Sequence, residues 1–359
     1  MKNNIFVSIA SYRDDVCIST INSLYENAKY PYKVFVGICQ QNNEDIDMDC
    51  LNNDKLTFDK KLKNNIRIIR IPYYDAKGPV YARYLCSSLL DKNNEQFYLQ
   101  IDSHTIFIKN WDDICINMIN EIKELGLSNK PVLSYYPKDF TVITDNTDNN
   151  KNNESYVPIV YDVEFDDKKQ IFILKQAIYI DTKGTYIRTP YATAGMFFCE
   201  SYFLNEMPFD PTLDYLFAGE EILNSIKFYT NGWDIFAPKI NIIFHEYLRN
   251  NKPKYWQEPK IIFDDRKALE KVCYYLFDYH YNKNNNYKLG TKRILEDYYK
   301  FANIDIKYYK NIYYKNKSKL KSRNLIIITI AIIIILIAII ILSHLFYSVF
   351  QSYLKSTQI

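Results

Sequence analysis

Residues 97–107, FYLQIDSHTIF, decide how the rest of the chain is read. An apolar run of strand length stops at Asp102, Ser103 and His104. In open α/β sheets ligands bind beyond the carboxyl ends of strands, so polar residues at such a stop are candidate site residues. Strand alternation sends Asp102 and His104 to the same side. A carboxylate oxygen and an imidazole on one face suit a divalent ion of borderline hardness, with Mn²⁺ the candidate when diphosphate oxygens and water complete the shell. An ordinary strand-end aspartate beside a solvated histidine is the competing reading, and these residues alone leave both open.

Working outward, the runs Ile5 to Ala10, Val34 to Cys39 and Ile66 to Pro72 read as strands, with an amphipathic helical stretch through Thr20 to Asn27. GPVYARYLCSSLL, residues 78–90, follows the third run with Pro79 at a first helical position. Trp111 to Leu125 reads as a helix and Val132 to Tyr136 as a strand. Ile178 to Ile243 carries strand-like segments around a helix beginning near Glu220. This alternation predicts an α/β fold with a mostly parallel central sheet. Thr144 to Glu154, TDNTDNNKNNE, reads as an inserted polar loop. Beyond Pro259 the chain turns Tyr/Lys-rich and reads as helical. The expected division is a catalytic domain at 1–260, a helical basic stalk at 261–324, a transmembrane helix at 325–345 and a short tail at 346–359.

Hydrophobic residues make up 48% of the chain and charged residues 24%, enough for a large core and no signature of disorder. The net charge of +3, with Lys and Arg interspersed among Asp and Glu, argues against nucleic acid as a partner. Seven cysteines, an odd number without CxxC pairs, suit reduced thiols in a cytosol-like compartment rather than disulfides or structural zinc.

The N-terminal MKNNIFVSIASYRDD lacks the apolar run and small-residue cleavage site of a secretory signal. Leu325 to Leu342, LIIITIAIIIILIAIIIL, carries no charge and no polar face, and with the LFYSVF that follows has the length to cross a bilayer. Lys310, Lys315, Lys317, Lys319, Lys321 and Arg323 precede it, whereas Lys355 alone follows. That asymmetry predicts a single-pass tail anchor with the N-terminal domain facing the cytoplasm, where the sequons at Asn153 and Asn316 meet no glycosylation machinery.

Three further features carry chemistry. His245, one of four histidines, stands in INIIFHEYLR as either a core histidine or a ligand. Gly219-Glu220-Glu221 opens a helix, where acidic residues complement the helix dipole or serve catalysis. Gly195, in TAGMFF at 193–198, lets backbone approach a bound sugar or phosphate closely.

In order and spacing, QIDSHTIF, ATAGMFF, LFAGEEI and NGWDIFAPKINIIFHEYLR resemble four segments of retaining GT-A glycosyltransferases that use UDP-N-acetylhexosamines. Those segments are the metal motif, the glycine segment, the acidic catalytic motif and the distal metal histidine. The DSH triplet is similar to that of the mucin-type polypeptide N-acetylgalactosaminyltransferases. SIASYRDD (8–15) and GPVYAR bring a closer resemblance to the cytoplasmic polypeptide N-acetylglucosaminyltransferases that glycosylate hydroxyproline on a ubiquitin-ligase adaptor, over residues 1–250.

The resemblance implies a Rossmann-like GT-A domain and a UDP-GlcNAc-dependent hexosyltransferase of the 2.4.1 class acting on a protein hydroxyl, hydroxyproline first, else Ser or Thr. It implies a Mn²⁺ site from Asp102, His104 and His245, with Asp102 also at the donor, and Arg83 near the diphosphate or bracing Asp102. Ser11, Arg13 and Asp14 would contribute to the nucleotide pocket, Gly195 would line the donor sugar, and Glu220 and Glu221 would face the reacting sugar and acceptor. The GEE motif departs from the GGEN or acidic pair of related families, which leaves open which glutamate matters more. Rival readings are a transferase for another UDP-sugar or for a glycan or lipid acceptor, and an inactive membrane-anchored sugar-binding protein. A metallohydrolase calls for a denser His/Asp cluster than four histidines supply.

Overall fold

The computed structural model describes residues 3–143, 154–249, 251–279 and 286–356. Most of the Asn-rich insertion, residues 144–153, lies outside them. The chain divides into two compact units, Met1–Ile304 and Asp305–Ile359.

The first unit is built on one eight-stranded sheet. Four strands from the first part of the chain, β1 (Ile5–Tyr12), β2 (Val34–Asn42), β3 (Ile66–Pro72) and β4 (Phe97–Asp102), lie parallel in the order β3-β2-β1-β4. The helices α1 (Cys17–Glu26) and α2 (Pro79–Ser87) belong to this half. The strand β5 (Thr105–Phe107) and helix α3 (Trp111–Glu124) follow. Next come β6 (Pro131–Ser134) and the two-residue β7 (Lys138–Asp139).

Of the following strands, β8 (Tyr156–Ile159) pairs with β11 (Ile178–Asp181) and β9 (Val163–Asp166) with β10 (Ile171–Leu174), both antiparallel. The sheet is completed by β12 (Ile187–Thr189), β13 (Met196–Glu200) and β14 (Asp234–Ala237), giving β12-β14-β6-β13-β4-β1-β2-β3. Only β13 and β12 run against the rest, so the sheet is mostly parallel as the alternation predicted. Between β13 and β14 lie α4 (Phe203–Glu206) and α5 (Glu220–Thr230); β15 (Ile243–His245), α6 (Arg266–Cys273) and α7 (Leu295–Phe301) end the unit.

The apolar run Phe97–Asp102 is the inner strand β4, covered on both faces. Leu99 and Ile101 belong to a core cluster with Ile21, Leu24, Trp111 and Ile119 of the helices on one side. Tyr98 packs on the other side with Phe197, Phe203 and Phe209. Each such side chain contributes ~1.5–3 kcal/mol when fully buried, so this strand cannot slip in register without exposing one whole face.

Residues 266–301, read from sequence as part of a stalk, carry helices that belong to the first unit. Tyr298 and Tyr299 are buried, the Tyr298 hydroxyl donates to the Pro190 carbonyl at 3.3 Å, and the Tyr191 hydroxyl donates to that of Ala302 at 3.1 Å. Tyrosine gives this segment an apolar body for packing and a hydroxyl that finds a backbone partner.

The second unit contains one helix, α8 (Ile306–Ser356). Its stretch Leu325–Val349 has a mean hydropathy of 3.8 over its most apolar window and none of that window is buried. Twenty-five residues of helix span roughly 37 Å, enough for the ~30 Å hydrocarbon core of a bilayer. By length and composition it is a candidate membrane span.

Candidate functional site

The cleft sits at the carboxyl end of β4, where β4 stops and the chain turns into β5. His245 reaches this turn because β15 pairs antiparallel with β5, placing His245 opposite Thr105. The Tyr135 hydroxyl holds that strand by accepting the Ile242 and Ile243 N–H groups at 2.7 and 2.9 Å. Asp102, His104 and His245 thereby offer ligand atoms that all lie within 4.8 Å of one another. His245 Nε2 is 3.1 Å from Asp102 Oδ2, and the two imidazole rings meet edge to face with centroids 4.5 Å apart. One carboxylate and two imidazoles converging on a point fit a divalent cation of intermediate hardness.

Arg83, buried on α2, ties this point to the acidic motif. Its Nη2 donates to Asp102 Oδ1 at 3.0 Å and to the Ala194 carbonyl at 3.3 Å, and its Nη1 pairs with Glu220. Burial works against charge on Asp102, yet the His245 hydrogen bond and the Arg83 guanidinium outweigh it and hold this carboxyl well below the usual carboxylate range. Glu220 is shifted the other way: burial raises it, and the Arg83 pair only partly offsets that.

Glu221 faces the cleft. One of its oxygens accepts the Ala194 N–H at 2.9 Å and the other the Tyr136 hydroxyl at 2.9 Å. Burial pushes its carboxyl up to about 7 despite these two bonds. The turn that delivers both glutamates requires Gly219, whose φ of +95° is left-handed and where a Cβ would stand 3.1 Å from Ile171 Cδ1.

Gly195 lies beside Asp102, and a Cβ there would stand 3.5 Å from Asp102 Oδ2, inside the cleft. The backbone before it is fixed by Gln100, a fully buried amide in the central strand that donates to the Ala194 carbonyl at 2.8 Å.

The cleft has a volume of about 650 Å³ and is lined by Asp102, His104, His245, Arg83, Gly195, Glu220 and Glu221 among others. Of the ten residues singled out from sequence, these seven share it. Ser11, Arg13 and Asp14 do not line it. Ser11 is buried, and Arg13 is held at the surface side by Asp47 at 2.8 Å and Glu258 at 2.5 Å, over the Tyr73 ring. Asp14 is buried behind His104, whose Nδ1 is 2.8 Å from its Oδ2.

Sequence reading passed over Gln100, Tyr136, Arg249 and the aromatic pair Phe217 and Trp256, all but Gln100 in the cleft lining. Gln100 was legible as a lone amide inside an apolar strand. Arg249 stands four residues beyond His245 in the quoted HEYLR.

Among curated proteins, none matches the chain. The solved structure of GalNAc-T7 with UDP, GalNAc and Mn²⁺ is similar at 16% identity and a TM-score of 0.52, covering 88% of this chain and 58% of that one. The structure of S. aureus TarS 1–349 in complex with UDP-GlcNAc matches at 12% identity and a TM-score of 0.44, covering 75% of this chain and 64% of that one. The chain thus spans less than two thirds of the length of GalNAc-T7, and the likeness to it is one of fold: a GT-A glycosyltransferase fold with a mixed α/β central sheet. The model of the family described as Glycosyltransferase (GlcNAc) matches residues 4–63 and 58–308, nearly the whole of the first unit, and the chain belongs to that family.

Proposed function

We propose that this glycosyltransferase moves N-acetylglucosamine from UDP-GlcNAc to a protein hydroxyl, hydroxyproline before Ser or Thr, with retention of anomeric configuration. The observation that carries the reading is the convergence of Asp102, His104 and His245 at the strand end, beside Gly195 and the glutamate pair, in one cleft. In this proposal the three residues hold Mn²⁺ or another divalent cation, which supplies positive charge to the leaving diphosphate.

The chain's own groups do the rest. Arg83 keeps Asp102 ionised and oriented through their 3.0 Å bond, so that a ligand oxygen stays in place without the donor. Gly195 leaves the floor beside Asp102 open for the sugar. Glu221, half of whose hydrogen-bonding capacity is spent on the Ala194 N–H and the Tyr136 hydroxyl, presents a carboxyl to the reacting sugar and acceptor at a pKa of about 7. Glu220 stabilises Arg83 from behind. The acceptor hydroxyl attacks from the face the leaving group departs, and no side chain is assigned as a covalent nucleophile.

The catalytic domain is proposed to occupy 1–304, with Leu325–Val349 as a membrane anchor. The basic residues before that helix support a cytoplasmic orientation of the catalytic unit, which would make the acceptor cytoplasmic.

The test is to incubate the protein with Mn²⁺ and a panel of nucleotide sugars and record slow donor hydrolysis, then to add hydroxyproline, Ser and Thr peptides. UDP-GlcNAc hydrolysis with transfer to hydroxyproline is expected. Hydrolysis of a different UDP-sugar overturns the donor, and transfer only to glycans or lipids overturns the acceptor. No hydrolysis of any donor leaves a sugar-binding protein.

A further inference from the structure

The first turn of the chain carries two aspartates with opposite fates. Asp15 is exposed and pairs with Lys252, whereas Asp14 is 2% exposed. A carboxylate withdrawn from water costs several kcal/mol unless its oxygens are filled. Those of Asp14 are filled: Oδ1 accepts the Val16 N–H at 3.2 Å, and Oδ2 receives the Ser103 hydroxyl at 2.6 Å and His104 Nδ1 at 2.8 Å, while Arg249 Nη2 stands in ion-pair range of it at 3.0 Å without a hydrogen bond.

Ser103 and His104 come from the turn after β4, and Arg249 from the segment after β15. One oxygen therefore ties two parts of the chain far apart in sequence, and it does so from behind the cleft. His104 and Arg249 line the cleft; Asp14 does not. Among the described residues Asp14 is the only ion-pair partner of Arg249, whose Nε and Nη2 make no hydrogen bond.

We propose that Asp14 is a positioning residue: by accepting the Nδ1 hydrogen of His104 it turns Nε2 of that ring toward the cleft as a ligand, and by pairing with Arg249 it holds the guanidinium beside it. The inference rests on the reading of Asp102, His104 and His245 as a cation site. A ligand histidine whose second nitrogen donates to a carboxylate is fixed in tautomer and ring orientation, and loss of such a partner weakens metal binding ~10- to 100-fold. Asp14, to which the resemblance gives a place in the nucleotide pocket, would then act through its neighbours.

The experiment uses the full-length chain in detergent and reads free Mn²⁺ by electron paramagnetic resonance, together with melting temperature. Asp14→Asn and Asp14→Ala are expected to weaken Mn²⁺ binding ~10-fold and ~100-fold, while Asp15→Asn leaves it within ~2-fold. Arg249→Ala is expected to lower UDP affinity and leave Mn²⁺ binding without nucleotide unchanged, whereas both Asp14 variants lower the two together. Where Asp14→Ala does not fold, Asp14→Asn, with the same volume, decides on the same readout. Wild-type Mn²⁺ affinity in a folded Asp14→Asn chain overturns the positioning role. Absence of Mn²⁺ binding by the wild type sinks the cation site and the positioning role with it, which separates that failure from the first.

Discussion

At one side of the cleft, Asp102, His104, His245 and Arg83 come from strand ends and a helix and are tied to one another, to Glu220 and to Asp14 by hydrogen bonds and ion pairs. At its rim, Phe217 and Trp256 come from loop segments, meet with ring centroids 5.2 Å apart, and are 61% and 40% exposed. The first region pairs many of its polar groups with one another. The second leaves two large aromatic rings partly in water. Under the proposed function, the strand ends would carry the donor chemistry and the aromatic rim would meet the acceptor.

The largest expected effect breaks the fixed side. Asp102→Ala, His104→Ala and His245→Ala are each expected to lower metal-dependent donor turnover at least ~10³-fold with the fold retained, read as initial rates of donor hydrolysis at saturating Mn²⁺. Near-normal turnover in the His245 variant would remove that residue from the site.

Next comes the acidic pair. Glu221→Gln is expected to lower transfer ~10²-fold or more with UDP affinity held, the pattern of a group that acts on the reacting sugar. Equal losses in rate and in UDP affinity would make it structural. Glu220→Gln leaves Arg83 with Asp102 as its one carboxylate partner and is expected to cost stability as well, less than the ~3–5 kcal/mol of a fully unpaired buried charge, read by denaturant unfolding.

The rim gives a smaller and different effect. Phe217→Ala and Trp256→Ala are expected to raise the acceptor KM ~10-fold while donor hydrolysis is unchanged, since truncating an exposed aromatic contact costs ~1–2 kcal/mol. A fall in donor hydrolysis would erase the distinction between the two regions.

A pH measurement sharpens it further. The Glu221 carboxyl rises from an ordinary 4.5 to about 7 in the folded chain, so the folded state binds more protons than the unfolded one across that window. Its contribution to stability is therefore full below 4.5 and is lost as pH rises through about 7. Glu221→Gln is expected to match the wild-type melting temperature near pH 5 and exceed it at pH 8. A wild type no less stable than the variant at pH 8 would contradict the raised pKa.

The smallest effect on chemistry is expected from a chain ending before Lys315. It should keep both donor hydrolysis and acceptor KM and lose membrane sedimentation, because the apolar helix offers no polar group to either region. Protease protection of the first unit in sealed vesicles would reverse the proposed orientation.

Local pattern determined much of this protein without any structure. The strand ending at Asp102, the helix opening at Pro79 and the helix opening at Glu220 are set by apolar periodicity and by glycine and proline at the turns, which act over a few residues. The apolar helix was legible because its composition has no polar face to hide. Strand alternation marked Asp102 and His104, and the family resemblance marked His245 and Arg83, but neither told what they touch.

Only the tertiary structure decided that Arg83 clamps Asp102 to Glu220, that Asp14 lies behind His104 while Arg13 turns away to Asp47 and Glu258, and that Phe217 meets Trp256 at the rim. It also decided that residues 266–301 join the first unit. The physical reason is the same in each case. A side chain's partners come from strand order and from pairings such as β15 on β5, which join residues more than a hundred positions apart, and local propensity carries no record of them.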